Sequence, residues 1–530
     1  MTPSRYDAVI VGAGHNGLVT AAYLARAGRR VLVLERRHVV GGACVTEEVF
    51  PGFKVSTAAY VSSLFRKEIV RDLRLADYGF EILPRDPSSF TPLPDGRFLF
   101  LGPDTELTRK EIGKFSARDA ERYPEYEAML ERVADVIEPT LTMAPPDLLR
   151  PRLADLRKLL SLARAFRRLG TAAGEAVEIL TGPARVVLDR WFQSEALKAT
   201  LATDAIIGAM ASPSMPGTAY VLFHHVMGET NGKRGVWGYV RGGMGGLTQA
   251  LAAAARDLGV DIRCNAEVAQ IVVAAGAVRG VALVSGEEFT APVVASNADA
   301  HVTFRRLLQP ASLPAEFACA VDRIRYDSAS LKINVALAEL PSFRVLPGTT
   351  AGPQHRGTIH IAPDQDYIER AYDDAKYGRP SASPVLECTI PSAVDPTVAP
   401  PGRHLMSMFV QYAPYALRDG SWDQHREAFA DRCFDVLDAY APNFKRSVLA
   451  RQILTPVDLE RIFNLTGGNI FQGAMTPSQL FSFRPVAGYA GYRMPIRGLY
   501  LCGAAAHPGG GVMGAPGLNA ARAILSSRQR

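Results

Sequence analysis

The sequence Tyr6-Asp-Ala-Val-Ile-Val-Gly12-Ala-Gly14-His-Asn-Gly17 joins a short apolar run to a loop with three regularly spaced glycines. The run has the composition of a buried parallel strand. The glycines have the spacing G-x-G-x-x-G, in which the first permits a tight turn, the second lets a pyrophosphate approach the backbone and the third allows close helix packing. We therefore predict a strand, a phosphate-binding loop and a helix whose N-terminus faces an anion.

The residues after the glycines complete this pattern. Leu18 to Gly28 is predicted as a helix of small apolar residues that ends at a glycine, which tolerates the left-handed conformation of a helix end. Val31 to Leu34 follows as the second strand, and Glu35 stands at its end. A carboxylate about 20 residues after the glycines is placed to accept hydrogen bonds from a ribose diol. A strand, a helix and an acid in this order predict a dinucleotide site, whereas a simple glycine turn needs none of them.

The composition limits the class of protein. A chain of 530 residues predicts two domains or one domain with large insertions. A content of 48% hydrophobic and 21% charged residues is typical of a soluble enzyme. The net charge of +6 is too small to indicate a nucleic-acid partner, and no basic block with interleaved aromatic residues occurs. We therefore expect no nucleic acid among the partners.

The six cysteines are scattered, without C-x-x-C spacing or a histidine cluster, which predicts reduced thiols and no metal site. The first strand begins close to Met1, so no presequence is predicted. No apolar stretch reaches the roughly 18 residues that span a bilayer. These features predict a cytoplasmic protein that is at most peripherally bound to a membrane.

A second glycine signal lies just beyond Glu35, where Arg36 precedes the pair Gly41 and Gly42. The order G-x-G-x-x-G, Glu, Arg, Gly-Gly resembles the flavin-dependent amine oxidase and phytoene desaturase superfamily. The resemblance implies an FAD cofactor, whose pyrophosphate and flavin the diglycine helps to hold, with Arg36 among the cofactor-binding residues. Many members carry an arginine directly after the diglycine. Ala43 stands there in this chain, so that contact is not carried over.

The last glycine-rich stretch lies between a predicted strand, Leu499 to Cys502, and a predicted helix, Val512 to Leu525. It contains a second G-x-G-x-x-G match, but no further strand and acid follow it, so it is not predicted as an independent Rossmann unit. In the resembled superfamily this element closes over the flavin. The resemblance implies that Gly503 approaches the pyrophosphate and that Gly511 and Val512 face the flavin ring.

Strand and helix signals return between residues 235 and 300, which predicts a discontinuous nucleotide domain. The superfamily contacts the adenine side of FAD with a strand of the form Val-x-x-Ile. Val268 and Ile271 fit that form, although a plain core strand explains them equally well. The predicted fold is α/β, a Rossmann-type FAD-binding domain of the glutathione-reductase kind with an inserted α+β substrate domain. We assign residues 1–70, 235–300 and 457–530 to the FAD-binding domain, and 71–234 and 301–456 to the substrate domain.

Further motifs extend the resemblance over nearly the whole chain. They are Phe223-His-His-Val-Met-Gly, Trp237-Gly-Tyr-Val-Arg-Gly-Gly-Met-Gly, Gly467-Gly-Asn-Ile-Phe and Leu501-Cys-Gly-Ala-Ala-Ala-His-Pro-Gly-Gly-Gly-Val-Met-Gly. Together they resemble the family of pyridine nucleotide-disulfide oxidoreductase domain-containing protein 2 and its bacterial relatives. The resemblance implies an FAD-containing oxidoreductase, mitochondrial in animals. The disulfide of the family name has no counterpart here, since the sequence lacks a paired-cysteine redox motif.

The resemblance to phytoene desaturases implies an apolar substrate tunnel, in which the flavin takes a hydride and no side-chain base need dominate. The candidate lining residues, each of which an ordinary core position also explains, are His224, Trp237, Phe471 and Phe481. No catalytic residue is assigned, and His225 and His507 are the candidate acid–base groups. On a strand, His224 and His225 would face opposite sides and would not share one pocket.

The segment 147–169 combines leucines at near-helical spacing with a high density of basic residues. A helix of this kind either lies on an anionic membrane surface or presents a solvated face to water. Peripheral membrane contact is therefore an open expectation for this segment. For the oligomeric state, a monomer and a homodimer both remain open.

Three functions are compatible with the sequence. The first is an FAD-dependent dehydrogenase or desaturase that acts on a hydrophobic small molecule. The second is a flavin amine oxidase, which needs an aromatic pair at the flavin face, for which Tyr489 and Tyr492 are candidates. The third is a regulatory protein that retains FAD and binds membrane or respiratory partners. Hydrogen peroxide release with amines distinguishes the second, and a flavin that no substrate reduces distinguishes the third.

Overall fold

Five parallel strands form the sheet from which the glycine loops project. The computed structural model describes residues 6–230 and 232–527. From edge to edge the sheet contains Asp261–Arg263, Val31–Leu34, Ala8–Val11, Val294–Ser296 and Leu499–Leu501. Every neighbouring pair is parallel, so the predicted Rossmann-type α/β fold is confirmed.

The first strand, loop and helix have the predicted order. The strand is fully buried, and Gly12 has a φ of +93°, which glycine adopts without strain. The helix His15–Arg26 begins directly after Gly14. A Cβ at Gly17 would lie 2.2 Å from the carbonyl oxygen of Gly12, so only glycine lets the helix pack this close to the loop.

The last helix, Ala515–Leu525, packs along this first helix. A Cβ at Gly517 would lie 2.2 Å from the carbonyl oxygen of Asn16. The Thr20 hydroxyl donates a hydrogen bond of 3.1 Å to the carbonyl oxygen of Gly517. The N-terminal and C-terminal glycine loops are therefore held side by side by a tight helix–helix contact.

A seven-stranded sheet forms the second layer. Its strands in spatial order are Val448–Leu454, Ser330–Leu337, His404–Gln411, Val385–Thr389, Thr358–Ile361, Ser89–Pro92 and Phe98–Leu101. The last two form the hairpin that Pro94-Asp-Gly96 predicts. Only the pairing of Ser89–Pro92 with Thr358–Ile361 is parallel. These strands all come from the ranges assigned to the substrate domain, and the domain boundaries themselves stay a prediction.

Short sheets and many helices surround the two large sheets. The short sheets are Val268–Ala274 with Ala277–Leu283 and Glu288–Thr290, Thr46–Phe50 with Phe53–Ser56, Ile82–Pro84 with Gly238–Val240, and Glu229–Thr230 with Lys233–Arg234. The other α-helices are Lys67–Asp72, Thr105–Gly113, Ala117–Leu141, Leu153–Arg168, Ala173–Thr181, Ala184–Trp191, Glu195–Ile206, Thr218–Val226, Gly245–Asp257, Ala315–Asp322, Gln365–Lys376, Trp422–Tyr440, Phe444–Ser447 and Pro456–Phe463. Among the described residues, no helix has the length and apolar content that crossing a bilayer requires.

Two local expectations are wrong. His224 and His225 lie on the helix Thr218–Val226 and not on a strand, because a short apolar run does not by itself distinguish a strand from a buried helix. The last helix begins at Ala515 and not at Val512, since Gly514 has a φ of +70°, outside the helical region.

The contact between the terminal helices provides a test of the fold. We expect Gly517→Ala to lower the free energy of unfolding by about 1–3 kcal/mol, because its methyl group overlaps the Asn16 carbonyl and the helices must separate. Gly174→Ala is the matched control. A Cβ at Gly174, also within a helix, meets nothing within 4 Å, so this change is expected to be neutral or to stabilise by up to about 1 kcal/mol. Equal melting temperatures for the two variants would contradict the tight contact.

Candidate functional site

A continuous cavity of about 740 Å³ is lined by residues from both large sheets. At one end its wall contains the glycine loops that follow the parallel strands. The same wall also contains side chains of the seven-stranded sheet, among them Lys332 and Glu387. Glu131 and Lys233, which are exposed, belong to the same wall and mark an opening to the surface.

Glu35 is fixed at the dinucleotide end of this cavity. Its Oε2 accepts a hydrogen bond of 2.8 Å from the Ala13 amide, and its Oε1 accepts one of 3.0 Å from the Arg37 amide. The carboxylate is buried and lines the cavity. The amide bonds orient the two oxygens, and the remaining lone pairs are free to accept hydrogen bonds from a ribose. The neighbouring Arg36 also lines the cavity, and its guanidinium donates to the Ile462 carbonyl oxygen at 2.6 Å.

The diglycine packs directly on the first loop. Gly41 forms a bridge with Gly14, and a Cβ at Gly42 would lie 3.4 Å from the Gly14 Cα. A Cβ at Gly14 would lie 2.7 Å from the Asn297 Nδ2. Side chains at these positions would fill the groove between the loops, so the glycines keep the backbone amides accessible to a ligand.

The C-terminal loop completes this part of the wall. Gly511 and Val512 line the cavity, and the Gly511 backbone lies beside His15, the first residue of the N-terminal helix. Burial lowers the pKa of His15 to about 4, so its imidazole is neutral near pH 7. Gly17 and Gly503 were predicted at the cofactor, but both lie outside the cavity wall. A Cβ at Gly503 would lie 2.4 Å from the Asn297 carbonyl oxygen, so both glycines serve backbone packing.

These residues fit FAD, the cofactor that the sequence resemblance implies. Two buried polar atoms of the cavity wall, Nε2 of His15 and Oδ1 of Asn16, have no hydrogen-bond partner among the described residues. They lie in the first helical turn, where free backbone amides favour an anion. The predicted cofactor-binding residues that line the cavity are Gly12, Gly14, Glu35, Arg36, Gly41, Gly42, Val268, Gly511 and Val512.

His224 and His225 both line the cavity, which the helical conformation allows. His224 Nε2 donates a hydrogen bond of 3.2 Å to the Gly510 carbonyl oxygen, so this side chain supports the C-terminal loop. Burial lowers the pKa of His224 to about 3, which keeps it neutral. His225 Nδ1 donates to the Val221 carbonyl oxygen at 2.8 Å, and its ring lies 5.6 Å from that of Trp237, another predicted lining residue that lines the cavity.

Several predicted site residues lie elsewhere. His507 is outside the cavity wall, where its Nε2 donates to the Thr140 carbonyl oxygen at 2.8 Å, and burial lowers its pKa to about 4. Phe481 packs edge-on against His507 with ring centroids 5.4 Å apart, so it does not line the cavity, whereas Phe471 does. The aromatic pair suggested for an amine oxidase is also outside the wall. Tyr492 donates to the His507 carbonyl oxygen at 2.6 Å, and Tyr489 packs against Phe317.

Lys332 is a cavity residue that the sequence analysis missed. Its Nζ donates hydrogen bonds of 2.7 and 2.6 Å to the carbonyl oxygens of Ser56 and Ala58. No carboxylate of the described residues pairs with this buried ammonium, and burial lowers its pKa well below the usual value. Its position on the strand Ser330–Leu337 is the missed signal, because every residue of that strand is buried and a polar side chain there must face an internal space.

A second missed group consists of Asp204, Glu387, His360 and Arg85, all of which line the cavity. Burial, together with the charge of Asp204, raises the pKa of Glu387 to about 8. Burial also raises the pKa of Asp204 and lowers that of His360 to about 3. The helix Glu195–Ile206 carries Asp204 among mostly buried residues, which is the sequence signal that this aspartate faces an internal space.

Comparisons with known proteins agree with this geometry. Residues 17–525 match the family model described as flavin containing amine oxidoreductase. Pyridine nucleotide-disulfide oxidoreductase domain-containing protein 2 of Mus musculus is 49% identical, over 98% of this chain and 93% of its own. A lycopene-forming phytoene desaturase of Pseudescherichia vulneris is 27% identical over 96% of each chain. A structure of putrescine oxidase bound to putrescine is similar in fold, with a TM-score of 0.61, 16% identity and coverage of 99% of this chain and 100% of its own.

The position of Glu35 predicts a defect in cofactor retention. We expect Glu35→Ala to weaken FAD binding about 10- to 100-fold, because a charged hydrogen-bond acceptor is lost from a buried position. The flavin absorbance per mole of protein after gel filtration measures the retained FAD. Glu288→Ala, an exposed acid on a short strand, is the control that should retain FAD. Acid precipitation of the unaltered protein should release its FAD into the supernatant, and full retention by Glu35→Ala would show that this acid does not bind the ribose.

Proposed function

The chain belongs to the flavin-containing amine oxidoreductase family as an FAD-dependent oxidoreductase, and on that premise we propose that it is a dehydrogenase or desaturase for an apolar substrate. Bound FAD supplies the acceptor for a hydride from a substrate C–H bond. The chain itself supplies binding, orientation and the exclusion of water. The alignment with a phytoene desaturase over nearly the whole chain supports this assignment.

The observation that carries the proposal is the apolar part of the cavity wall. It is assembled from separate parts of the chain by Leu64, Leu201, Leu222, Trp237, Phe471 and Val512. Side chains of this kind stabilise a bound apolar molecule because its surface leaves water. A wall of this kind favours a substrate recognised mainly by its apolar surface.

Lys332 is suited to take the proton that desaturation releases. Removing hydrogen from two adjacent carbons yields a hydride and a proton, and the proton needs an acceptor. Two N–H groups of Lys332 face the carbonyl oxygens of Ser56 and Ala58, and burial lowers its pKa, which favours the neutral amine with a lone pair. A neutral amine in the cavity wall can therefore hold this proton.

The assignment is tested by anaerobic reduction of the flavin with lipophilic alcohols, polyenes and amines. We expect apolar alcohols or polyenes to bleach the visible flavin absorption. Lys332→Met should slow the bleaching about 100-fold or more without loss of FAD, because the proton acceptor is absent. Lys54→Met, an exposed lysine on a neighbouring strand, should leave the rate unchanged. Hydrogen peroxide release with amines alone would instead identify an amine oxidase.

We further propose that the helix Leu153–Arg168 docks on an anionic membrane surface. Its outer face carries Leu153 and Leu160, whose exposed fractions are 77% and 55%. Arg157 and Arg164 lie on the same face and are exposed. On an anionic bilayer, the leucines of this face would contact the acyl chains and the arginines would contact the lipid phosphates.

The neighbouring helix connects this face with the cavity. Leu153–Arg168 packs against Ala117–Leu141, and Lys158 donates a hydrogen bond of 2.9 Å to the Ala144 carbonyl oxygen just beyond that helix. Tyr123 and Glu127 of Ala117–Leu141 line the cavity. A membrane-dissolved substrate would therefore enter beside the docked helix. Cytoplasmic localisation and the oligomeric state stay predictions.

Vesicle flotation tests whether the outer face of the helix Leu153–Arg168 binds a membrane. The protein should float with vesicles that contain phosphatidylglycerol and much less with pure phosphatidylcholine, and raised salt should weaken the binding. Arg157→Gln with Arg164→Gln should lower the partition coefficient roughly 30-fold, since each cation near the surface contributes about 1 kcal/mol. Leu449→Ser, an exposed leucine in a strand of the seven-stranded sheet, is the control for surface apolarity. Protein that stays at the bottom of the gradient with both lipids would contradict the proposal.

A further inference from the structure

The carboxylate of Asp204 faces the cavity without a protein partner. Asp204 lies in the last turn of the helix Glu195–Ile206, and no described residue donates a hydrogen bond to it. The preceding residue, Thr203, joins this helix to the sheet below, because its hydroxyl lies 3.0 Å from the Nδ1 of His360. Asp204 is thereby held over the sheet, and its two oxygens can accept hydrogen bonds from a molecule bound in the cavity.

Glu387 lies on the sheet within reach of the same space. It is directly opposite His360 in the neighbouring strand, and its Oε1 lies 3.9 Å from the His360 Nδ1. The Tyr60 hydroxyl donates to its Oε2 at 3.4 Å. Burial and the charge of Asp204 keep Glu387 protonated near pH 7, so its carboxyl group retains a hydrogen to donate.

Four other ionisable groups lie around this pair, namely Arg85, Lys332, His360 and His225. Arg85 donates to the Thr358 hydroxyl at 2.5 Å, and its positive charge lowers the pKa of both Glu387 and Asp204. Burial lowers the pKa of His360 to about 3, which keeps it neutral near pH 7, and it also lowers the pKa of Lys332. His225, whose protonated form would lower the pKa of Asp204, lies on the opposite helix.

We propose that Asp204 and Glu387 form a recognition site for a hydroxyl group on an otherwise apolar substrate. A carboxylate accepts a hydrogen bond from the hydroxyl hydrogen, and a carboxyl group donates one to the hydroxyl oxygen. The inference rests on the proposed function, since it assigns this polar part of the wall to the substrate that the apolar part binds. Site residues of this kind determine specificity, because a ligand without the hydroxyl hydrogen leaves the Asp204 carboxylate without a donor.

An ammonium group is a poorer match for the same pair. It donates hydrogen bonds and accepts none, so it leaves the Glu387 proton without an acceptor. The positive charge of Arg85 also opposes a second cation in this buried space. The two ligand classes consequently have opposite pH dependences. Deprotonation of Glu387 removes the donor that a hydroxyl needs and adds the negative charge that an ammonium favours.

Calorimetric binding to the FAD-loaded protein tests the site with octan-1-ol, heptyl methyl ether and octylamine. At pH 7 octan-1-ol should bind about 10- to 100-fold more tightly than the ether, which has the same length and cannot donate. The alcohol affinity should fall as the pH rises through about 8, where Glu387 loses its proton. Equal affinity for alcohol and ether, or octylamine binding that is tightest and rises with pH, would overturn the proposal.

Variants of Asp204 and Glu387 test the roles of the two carboxyl groups one at a time. Asp204→Ala should abolish the preference for the alcohol over the ether. Glu387→Gln should keep the preference, because its amide also donates, but should lose the pH dependence. Glu316→Gln, an exposed acid on another helix, should behave as the unaltered protein. Flavin content and melting temperature exclude misfolding, and an Asp204→Ala protein that is folded and still prefers the alcohol would contradict the assignment.

The binding measurement needs no flavin reduction, so the two proposals fail separately. A protein that prefers octan-1-ol while no alcohol or polyene bleaches its flavin would retain the hydroxyl site and contradict the dehydrogenase assignment. Flavin bleaching by apolar substrates without any preference for the alcohol would support the dehydrogenase assignment and contradict the hydroxyl site.

Discussion

The parallel pairing of Leu499–Leu501 with Val294–Ser296 is the constraint on which the cofactor end of the molecule depends. The carboxyl ends of parallel strands lie at one sheet edge, so this pairing brings the C-terminal loop to the loop after Ala8–Val11. His15 and the Gly511 backbone meet there, and neither loop forms the wall without the other. The close helix contact behind the loops then fixes their separation.

Desolvation sets the ionisation of the polar side chains that the seven-stranded sheet contributes to the cavity wall. Lys332 and Glu387 stand on a sheet whose central strands are buried, and burial favours the uncharged form of each. Burial therefore shifts both groups toward the uncharged form within a wall that contains several ionisable residues. This explains how a chamber suited to an apolar molecule also contains groups that can select among such molecules and move a proton.

The sequence predicts the cofactor end well because its signals are local. Strand, glycine loop, helix and Glu35 follow one another within 35 residues, and the glycine spacing reports backbone geometry directly. The substrate end depends on which distant elements stack together. Asp204 and Glu387 are separated by more than 180 positions in the sequence, and only the packing of a helix on a sheet places both in one wall. His507 illustrates the opposite failure, since its place in a glycine-rich motif did not reveal that it is held by the Thr140 carbonyl oxygen.

The strand Leu499–Leu501 also sets the timing of folding during synthesis. Until residue 501 has been translated, the backbone edge of Val294–Ser296 has no partner, and an unpaired edge is a template for wrong association. Closure over some 200 residues of intervening chain is slow, because loop entropy must be overcome before the contacts form. The part of the cavity wall that Gly511 and Val512 form is consequently complete only after this late pairing.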